Sequence, residues 1–250
     1  MHKACIAWTI YCSQGKIDVA YQTSNEALGL AEESGDILSK TEAFVNHGVC
    51  CYAKGFLDEA EKYLLMGKNF SERANLLAHG FLSIWYLGVV YFLGGDHRRV
   101  QEYYNNALSY EKLGIMGSSW FNLLRLILTC AKVMTNEKDI DLKLLYSYVS
   151  QNKIRRAEGP IRRYLSEILL NIDDDHLQEA EDWIKQAIEA DKKNGVRFEL
   201  GIDHAVCAEI FKRKGDKSKA REMLDRAIEI SKECGANGWV EKYEKELTKL

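Results

Sequence analysis

The sequence predicts an all-α fold: a right-handed superhelical solenoid of six helix pairs, followed by a C-terminal capping helix. The first observation is composition, because the 250 residues include one proline and are rich in helix-forming types. The second is spacing, because glycines and small residues recur with a period of about forty residues. Together they favour stacked helical hairpins.

Each repeat is anchored by a glycine, with a small residue, usually alanine, five and twelve positions later. These sets are Gly15 with Ala20 and Ala27, Gly55 with Ala60 and Gly67, Gly95 with Val100 and Ala107, and Gly215 with Ala220 and Ala227. The same spacing predicts anchors at Asp175, with Ala180 and Ala187, and at Thr135, with Ile140 and Ser147. The fourth repeat is therefore degenerate. Seven residues are close to two helical turns, so both small residues share one face and allow close helix packing.

The register divides a single domain, residues 1–250, into six repeats and a cap. The repeats span about 1–40, 41–80, 81–120, 121–160, 161–200 and 201–240, and the cap spans 236–250. One face of the cap carries Trp239, Tyr243, Leu247 and Leu250, and the other carries Glu and Lys, as a solvent-facing terminal helix requires. The chain starts inside a helix without a polar cap, so we expect it to be a piece of a longer protein.

Helix boundaries follow from the residues that end helices. The anchor glycines permit the positive φ of a tight turn between paired helices. The second helices are expected to end at Gly35, Asn75, Gly114, Gly195 and Gly235. Pro160, the single proline, falls at the start of the fifth repeat, where the first turn of a helix tolerates it.

The most apolar stretch is residues 80–95, which carries no charge. A membrane-spanning helix needs about 20 apolar residues, so this stretch is too short and contains several glycines. It coincides with the first helix of the third repeat and is predicted to be a buried core helix. The sequence therefore predicts no membrane role.

The chain shows none of the motifs of nucleotide, metalloprotease or serine hydrolase sites. His47 lies near Cys50 and Cys51, but a zinc site needs four ligands, so this group is predicted to be packing. The run Asp173–Asp175 is predicted to be an inter-helix turn with Asp175 as N-cap. We therefore expect a protein that is not an enzyme and has no metal and no cofactor.

Net charge and cysteine content limit the possible partners and the cellular compartment. The net charge is −3, which gives no case for nucleic acid. Seven cysteines without a CxxC spacing predict reduced thiols and a cytoplasmic protein.

The repeat resembles the tetratricopeptide repeat (TPR), a helix–turn–helix unit that stacks into a superhelix. The third repeat carries the resemblance most clearly, in Leu87, Gly88, Tyr91, Gly95, Tyr104 and Ala107. The period of forty and the missing terminal proline depart from the common form and resemble a long-repeat variety. That variety occurs in the C-terminal region of bacterial signalling ATPases and transcription activators.

The resemblance implies a partner-binding groove lined by the first helix of each repeat. Carried over by position, the predicted lining residues are Val45, Val49, Tyr52, Trp85, Val89, Phe92, Arg125, Thr129, Lys132 and Arg162. The alternative is that the apolar members pack against neighbouring helices. If they line a groove, replacing Trp85 and Phe92 by Ala removes partner binding and leaves helicity intact; if they are core, helicity falls.

These features predict a scaffold or regulatory module that binds a protein or peptide, such as an amphipathic helix with an acidic flank. Self-association through the N-terminal repeat is a further possibility, and a small-molecule sensor is the alternative function. The basic stretch KIRRAEGPIRR, from Lys153 to Arg163, is either a solvated surface or a site for an acidic segment or phosphate.

Overall fold

The computed structural model describes residues 2–137 and 139–250, and every regular element in those ranges is helical, which confirms the all-α fold class. The α-helices are α1 His2–Ile6, α2 Ile17–Ser34, α3 Ile37–Lys54, α4 Leu57–Arg73, α5 Leu77–Leu93, α6 His97–Leu108, α7 Ser118–Met134, α8 Leu142–Ser150, α9 Glu158–Ile172, α10 Leu177–Asn194, α11 Arg197–Arg213, α12 Lys217–Cys234 and α13 Asn237–Leu247. A π-helix, Ala7–Cys12, follows α1, and 3₁₀ turns lie at Ser109–Leu113, Arg155–Ala157 and Asp174–His176.

The chain forms two compact units. The first unit runs to Ile115 and includes Cys234–Gly238, and the second comprises Met116–Glu233 and Trp239–Leu250. The prediction of a single domain over 1–250 stays a prediction.

Within each unit the helices follow the predicted order of pairs. In the first unit α3 packs against its partner α4, and α5 packs against α6. In the second unit α9 packs against α10. First helices of consecutive repeats also touch, α3 with α5, α7 with α9, and α9 with α11. This is the stacking of hairpins expected of a repeat solenoid.

The turns confirm the register at four anchors. Gly15, Gly55, Gly95 and Gly215 have φ between 71° and 87°, the left-handed region that glycine enters without steric cost. The predicted ends of the second helices are confirmed as well, since Gly35, Asn75, Gly114, Gly195 and Gly235 all have positive φ. At the fourth anchor the residue with a left-handed backbone conformation is Asn136, one position after Thr135.

Small residues mediate close helix pairing as predicted. The alanines five and twelve positions after the anchors are all buried, among them Ala60, Ala180 and Ala220, each 0% exposed. A Cβ on Gly48 of α3 would lie 2.7 Å from Cγ of Leu64 on α4, so this backbone has no room for a side chain. The small residues of the forty-residue register therefore lie where paired helices approach closely.

The fourth and fifth repeats depart from the expectation in detail. Helix α8 has nine residues, and Ile140 and Ser147 are partly exposed, so the fourth repeat lacks the usual close-packing pair. Asp175 is not the N-cap of a long helix, because it lies inside a 3₁₀ turn and α10 begins at Leu177. Asp173 takes the capping role two residues earlier, accepting from Asp175 N at 3.0 Å.

Helix α5 contains most of the apolar stretch and is mainly buried, as predicted. Among the described residues, no helix combines the length and the apolar character needed to cross a membrane.

Candidate functional site

The six apolar residues of the predicted groove are buried. Their exposed fractions range from 0% to 8%, for Val45, Val49, Tyr52, Trp85, Val89 and Phe92. Val45 faces its own partner helix, where a Cβ on Gly67 would lie 2.6 Å from its Cγ2. The ring of Phe92 contacts that of His97 at a centroid distance of 5.5 Å. Burial therefore favours the packing alternative over an open apolar trough for these six residues.

The four polar residues of the predicted groove are partly exposed. Arg125, Thr129 and Lys132 lie on α7, and Arg162 lies on α9, all within the second unit. Lys132 pairs with Glu137 at 3.4 Å. The guanidinium of Arg125 lies 5.8 Å from the ring centroid of Tyr148. Their role in binding stays a proposal.

A cluster of three aromatic residues joins the first helices of three consecutive repeats within the first unit. Trp8 Nε1 donates to the hydroxyl of Tyr86 at 3.1 Å, and the two rings meet edge to face at 6.1 Å. Tyr52 lies 5.7 Å from Tyr86, centroid to centroid. Trp8 and Tyr86 are partly exposed, whereas Tyr52 is 6% exposed. We call Trp8, Tyr52 and Tyr86 the aromatic face.

The sequence pattern predicts Tyr52 as a groove residue and selects neither Trp8 nor Tyr86. The reason is local geometry: Trp8 lies in the π-helix Ala7–Cys12, whose wider turn shifts the direction of its side chains relative to an α-helical register. No sequence signal in the repeat marks such an insertion, so the position of Trp8 required the structure.

Cys5, in the helix before the π-helix of Trp8, bonds a buried carboxylate. The thiol of Cys5, one turn before Trp8, lies 3.0 Å from Oε1 of Glu42 on α3. Burial, together with the hydrogen bond to Glu42, raises the pKa of Cys5 to about 11, so the thiol stays protonated at neutral pH. Cys5 is therefore a neutral hydrogen-bond donor to Glu42 and not a reactive thiolate.

The basic stretch divides into exposed and buried members. Lys153 and Arg155 are exposed, and Arg162 is partly exposed. Arg163, which the sequence placed in the same surface patch, is 3% exposed and donates from Nη1 to Asp203 Oδ1 at 2.9 Å. The patch is thus smaller than predicted, because one of its cations belongs to the core.

No group of three or more His, Cys, Asp or Glu side chains in the described ranges is arranged to hold a metal ion. His47, Cys50 and Cys51 are 0–1% exposed, and Nδ1 of His47 is 2.8 Å from Ser24 Oγ. These three side chains are packed in the interior of the first unit.

Residues 208–234 match a model of the tetratricopeptide repeat. The match covers the end of α11 and all of α12, which is the sixth repeat of the register. No curated protein is similar enough to this chain to count as a match.

Among solved structures, the chain is similar to YrrB, described as a TPR protein with an unusual peptide-binding site. The identity is 18%, the alignment covers 83% of this chain and 91% of that chain, and the TM-score is 0.40.

Proposed function

We propose that this chain is a non-enzymatic module that binds a protein or peptide through the aromatic face. The observation that carries the proposal is the contact of Trp8, Tyr52 and Tyr86 across three stacked first helices. Trp8 and Tyr86 are partly exposed, whereas most other aromatic rings in the same helices are buried.

Aromatic rings of this kind suit partner binding on physical grounds. Tyr and Trp combine a large apolar area with one polar group, and they are enriched at protein interfaces. The hydrogen bond between Trp8 and Tyr86 fixes both rings before a partner arrives, which lowers the entropic cost of association. An amphipathic helix, with its apolar side on these rings, fits this surface.

Two finer points belong to the same proposal. The partly exposed cations Arg125, Lys132 and Arg162, all within the second unit, favour acidic residues in a segment that binds to that unit. Seven cysteines that form no disulfide favour a reducing compartment, so the proposed location is the cytoplasm.

The test is selection of binding peptides from a displayed random library on the 250-residue chain, followed by titration of the selected peptides against variants. We expect Trp8→Ala and Tyr86→Ala each to weaken binding by about tenfold or more, since aromatic hot spots contribute about 2 kcal/mol or more. Tyr103→Ala is the matched control, because Tyr103 is a partly exposed ring on α6, a second helix of the same unit.

Circular dichroism melting of each variant separates lost binding from lost folding. Failure to select any peptide would overturn the proposal. So would equal weakening by Tyr103→Ala, because the aromatic face would then have no special part in binding.

A further inference from the structure

A cleft of about 420 Å³ opens in the second unit between α8, the start of α9, and α10. It exists because α8 stops after nine residues, whereas α2, α4, α10 and α12 have 17 or 18. Residues 151–157 continue as a turn, an extended residue and a 3₁₀ turn instead of further helix. The volume falls in the range of about 300–1,000 Å³ typical of ligand sites.

Hydrogen bonds hold this irregular segment in place. The side chain of Asn152 bonds both backbone groups of Ile154, at 3.2 Å to its N–H and 3.0 Å to its carbonyl. Asn194 of α10 donates from Nδ2 to the carbonyl of Arg155 at 3.0 Å. The cleft is therefore preformed, which reduces the ordering cost of binding.

The cleft is positively charged. It is lined by Lys153, Arg155 and Arg162 and by one carboxylate, Glu158. Glu158 is already engaged, accepting from Asn194 at 2.9 Å and from Arg162 at 3.0 Å, and these contacts lower its pKa. No residue in the described part of the chain forms an ion pair with Lys153 or Arg155.

Arg162 adds an unmet hydrogen-bonding requirement. Its Nη1 donates to the carbonyl of Glu158 at 2.9 Å, while its Nε is buried and has no acceptor among the described residues. A buried N–H without an acceptor costs about 1–3 kcal/mol, so an oxygen from a bound ligand would be stabilising there.

Two aromatic residues of the lining, Tyr146 and Trp183, form an aromatic wall. Tyr146 and Trp183 stack with centroids 6.2 Å apart and planes 17° from parallel. The hydroxyl of Tyr146 and Nε1 of Trp183 both donate to Glu179 Oε1, at 2.8 and 3.2 Å. The two hydrogen bonds to one carboxylate oxygen fix the rings, so the aromatic wall offers a rigid apolar surface to a ligand.

We propose that this cleft binds an acidic peptide segment of a partner protein. Carboxylates of the segment pair with Lys153 and Arg155, and a large apolar side chain packs against Tyr146 and Trp183. The inference rests on the proposed protein-binding function, but it assigns a site and a ligand chemistry that the aromatic face does not supply.

The test is fluorescence anisotropy of a labelled peptide, Glu-Asp-Glu-Trp-Glu-Asp-Glu, with the full chain at low and high salt. We expect binding at low salt that weakens with added salt, because the pairing groups are exposed. The double variant Lys153→Glu with Arg155→Glu should weaken binding by about tenfold or more. A peptide with Ser in place of Trp should bind several-fold more weakly.

The double variant Arg98→Glu with Lys112→Glu is the matched control, since both are exposed cations of the first unit. Absence of binding at low salt would overturn the inference. Equal loss of binding in the control would overturn it too, because it would show that only net charge matters. Dimerisation of the wild-type chain that the cleft variant abolishes would also overturn it, by making a second copy the occupant.

The same titration separates this inference from the proposed function. Trp8→Ala should leave binding of the acidic peptide unchanged. If library-selected peptides bind the aromatic face while the acidic peptide does not bind, only the cleft inference fails. If the acidic peptide binds the cleft while no selected peptide depends on the aromatic face, the proposed function of the aromatic face fails and the cleft inference stands.

Discussion

Arg163 on α9 donates from Nη1 to Oδ1 of Asp203 on α11 at 2.9 Å, and the two side chains are 4% and 0% exposed. They are forty residues apart and therefore occupy equivalent positions in consecutive repeats. Arg163 also bonds Glu199 at 2.9 Å through Nη2. The stacking of first helices thus brings a cation and its carboxylates together in the interior of the second unit.

Removing the charge of Arg163 should destabilise the folded protein. Arg163→Leu leaves Asp203 and Glu199 without their buried counter-charge, and we expect a loss of about 3–5 kcal/mol in the free energy of unfolding. Arg197→Leu, which removes the exposed pair with Glu233, should cost no more than about 1 kcal/mol. Urea unfolding followed by circular dichroism measures both, and equal losses would contradict a special role for the buried pair.

The repeat register made most of the fold predictable. Turn glycines such as Gly55 and close-packing alanines such as Ala60 are fixed by backbone sterics, which a single sequence records directly. The same register contained the Arg163–Asp203 pair as opposite charges at equivalent positions. Sequence reasoning nevertheless assigned Arg163 to a surface patch, because charge alone does not reveal burial.

The candidate sites were less predictable. Burial of Trp85 depends on how closely neighbouring helices wind, which composition does not specify. Trp8 lies in a π-helix that no sequence pattern marks, and the cleft near Tyr146 arises from an early end to α8. Sequence reasoning found the fourth repeat degenerate, yet the shape that replaces a lost helix depends on individual side-chain hydrogen bonds, such as those of Asn152.

A second prediction concerns alkaline pH. Burial and the neighbouring Asp203 raise the pKa of Asp191 to about 9, and Asp191 is 0% exposed. In the unfolded chain an aspartate ionises near pH 4. Between these values Asp191 stays protonated in the native state and is ionised in the unfolded state, so the contribution of this group to stability should fall as pH rises from about 4 to 9.

Asp191→Asn should remove most of that slope, because the amide resembles the protonated acid. We expect the variant to be more stable than the wild type at pH 9. Urea unfolding at pH 5, 7 and 9 tests this. Asp225→Asn, on the exposed side of α12, is the control and should leave the wild-type slope in place. An Asp191→Asn variant with the same pH slope as the wild type would contradict a buried Asp191 that is protonated at neutral pH.

A third prediction concerns acid pH. Burial lowers the pKa of His47 to about 4, and the side chain is 1% exposed. In the unfolded chain His is protonated below about pH 6.5, so the unfolded state binds more protons between these values and stability falls as pH drops. His47→Gln should remove a loss of up to about 3 kcal/mol over this interval. The difference between variant and wild type should be constant above pH 7.5 and shrink below pH 6.5; a constant difference throughout would contradict a neutral buried imidazole.

The last prediction tests the close-packing rule itself. A Cβ on Gly88 of α5 would overlap the ring of Tyr104 on α6, which is 0% exposed and donates its hydroxyl to the carbonyl of Trp85 at 2.9 Å. Gly88→Ala should therefore force the paired helices apart and cost about 1–3 kcal/mol, although alanine favours helix. Gly29→Ala in α2 is the matched control, because no atom lies within 4 Å of its Cβ position, and it should stabilise by about 0.5–1 kcal/mol. Thermal and urea unfolding measure both changes. If both substitutions stabilise the protein, helix propensity alone determines the effect of Gly88→Ala. The forty-residue pattern of small residues would then not set the helix spacing.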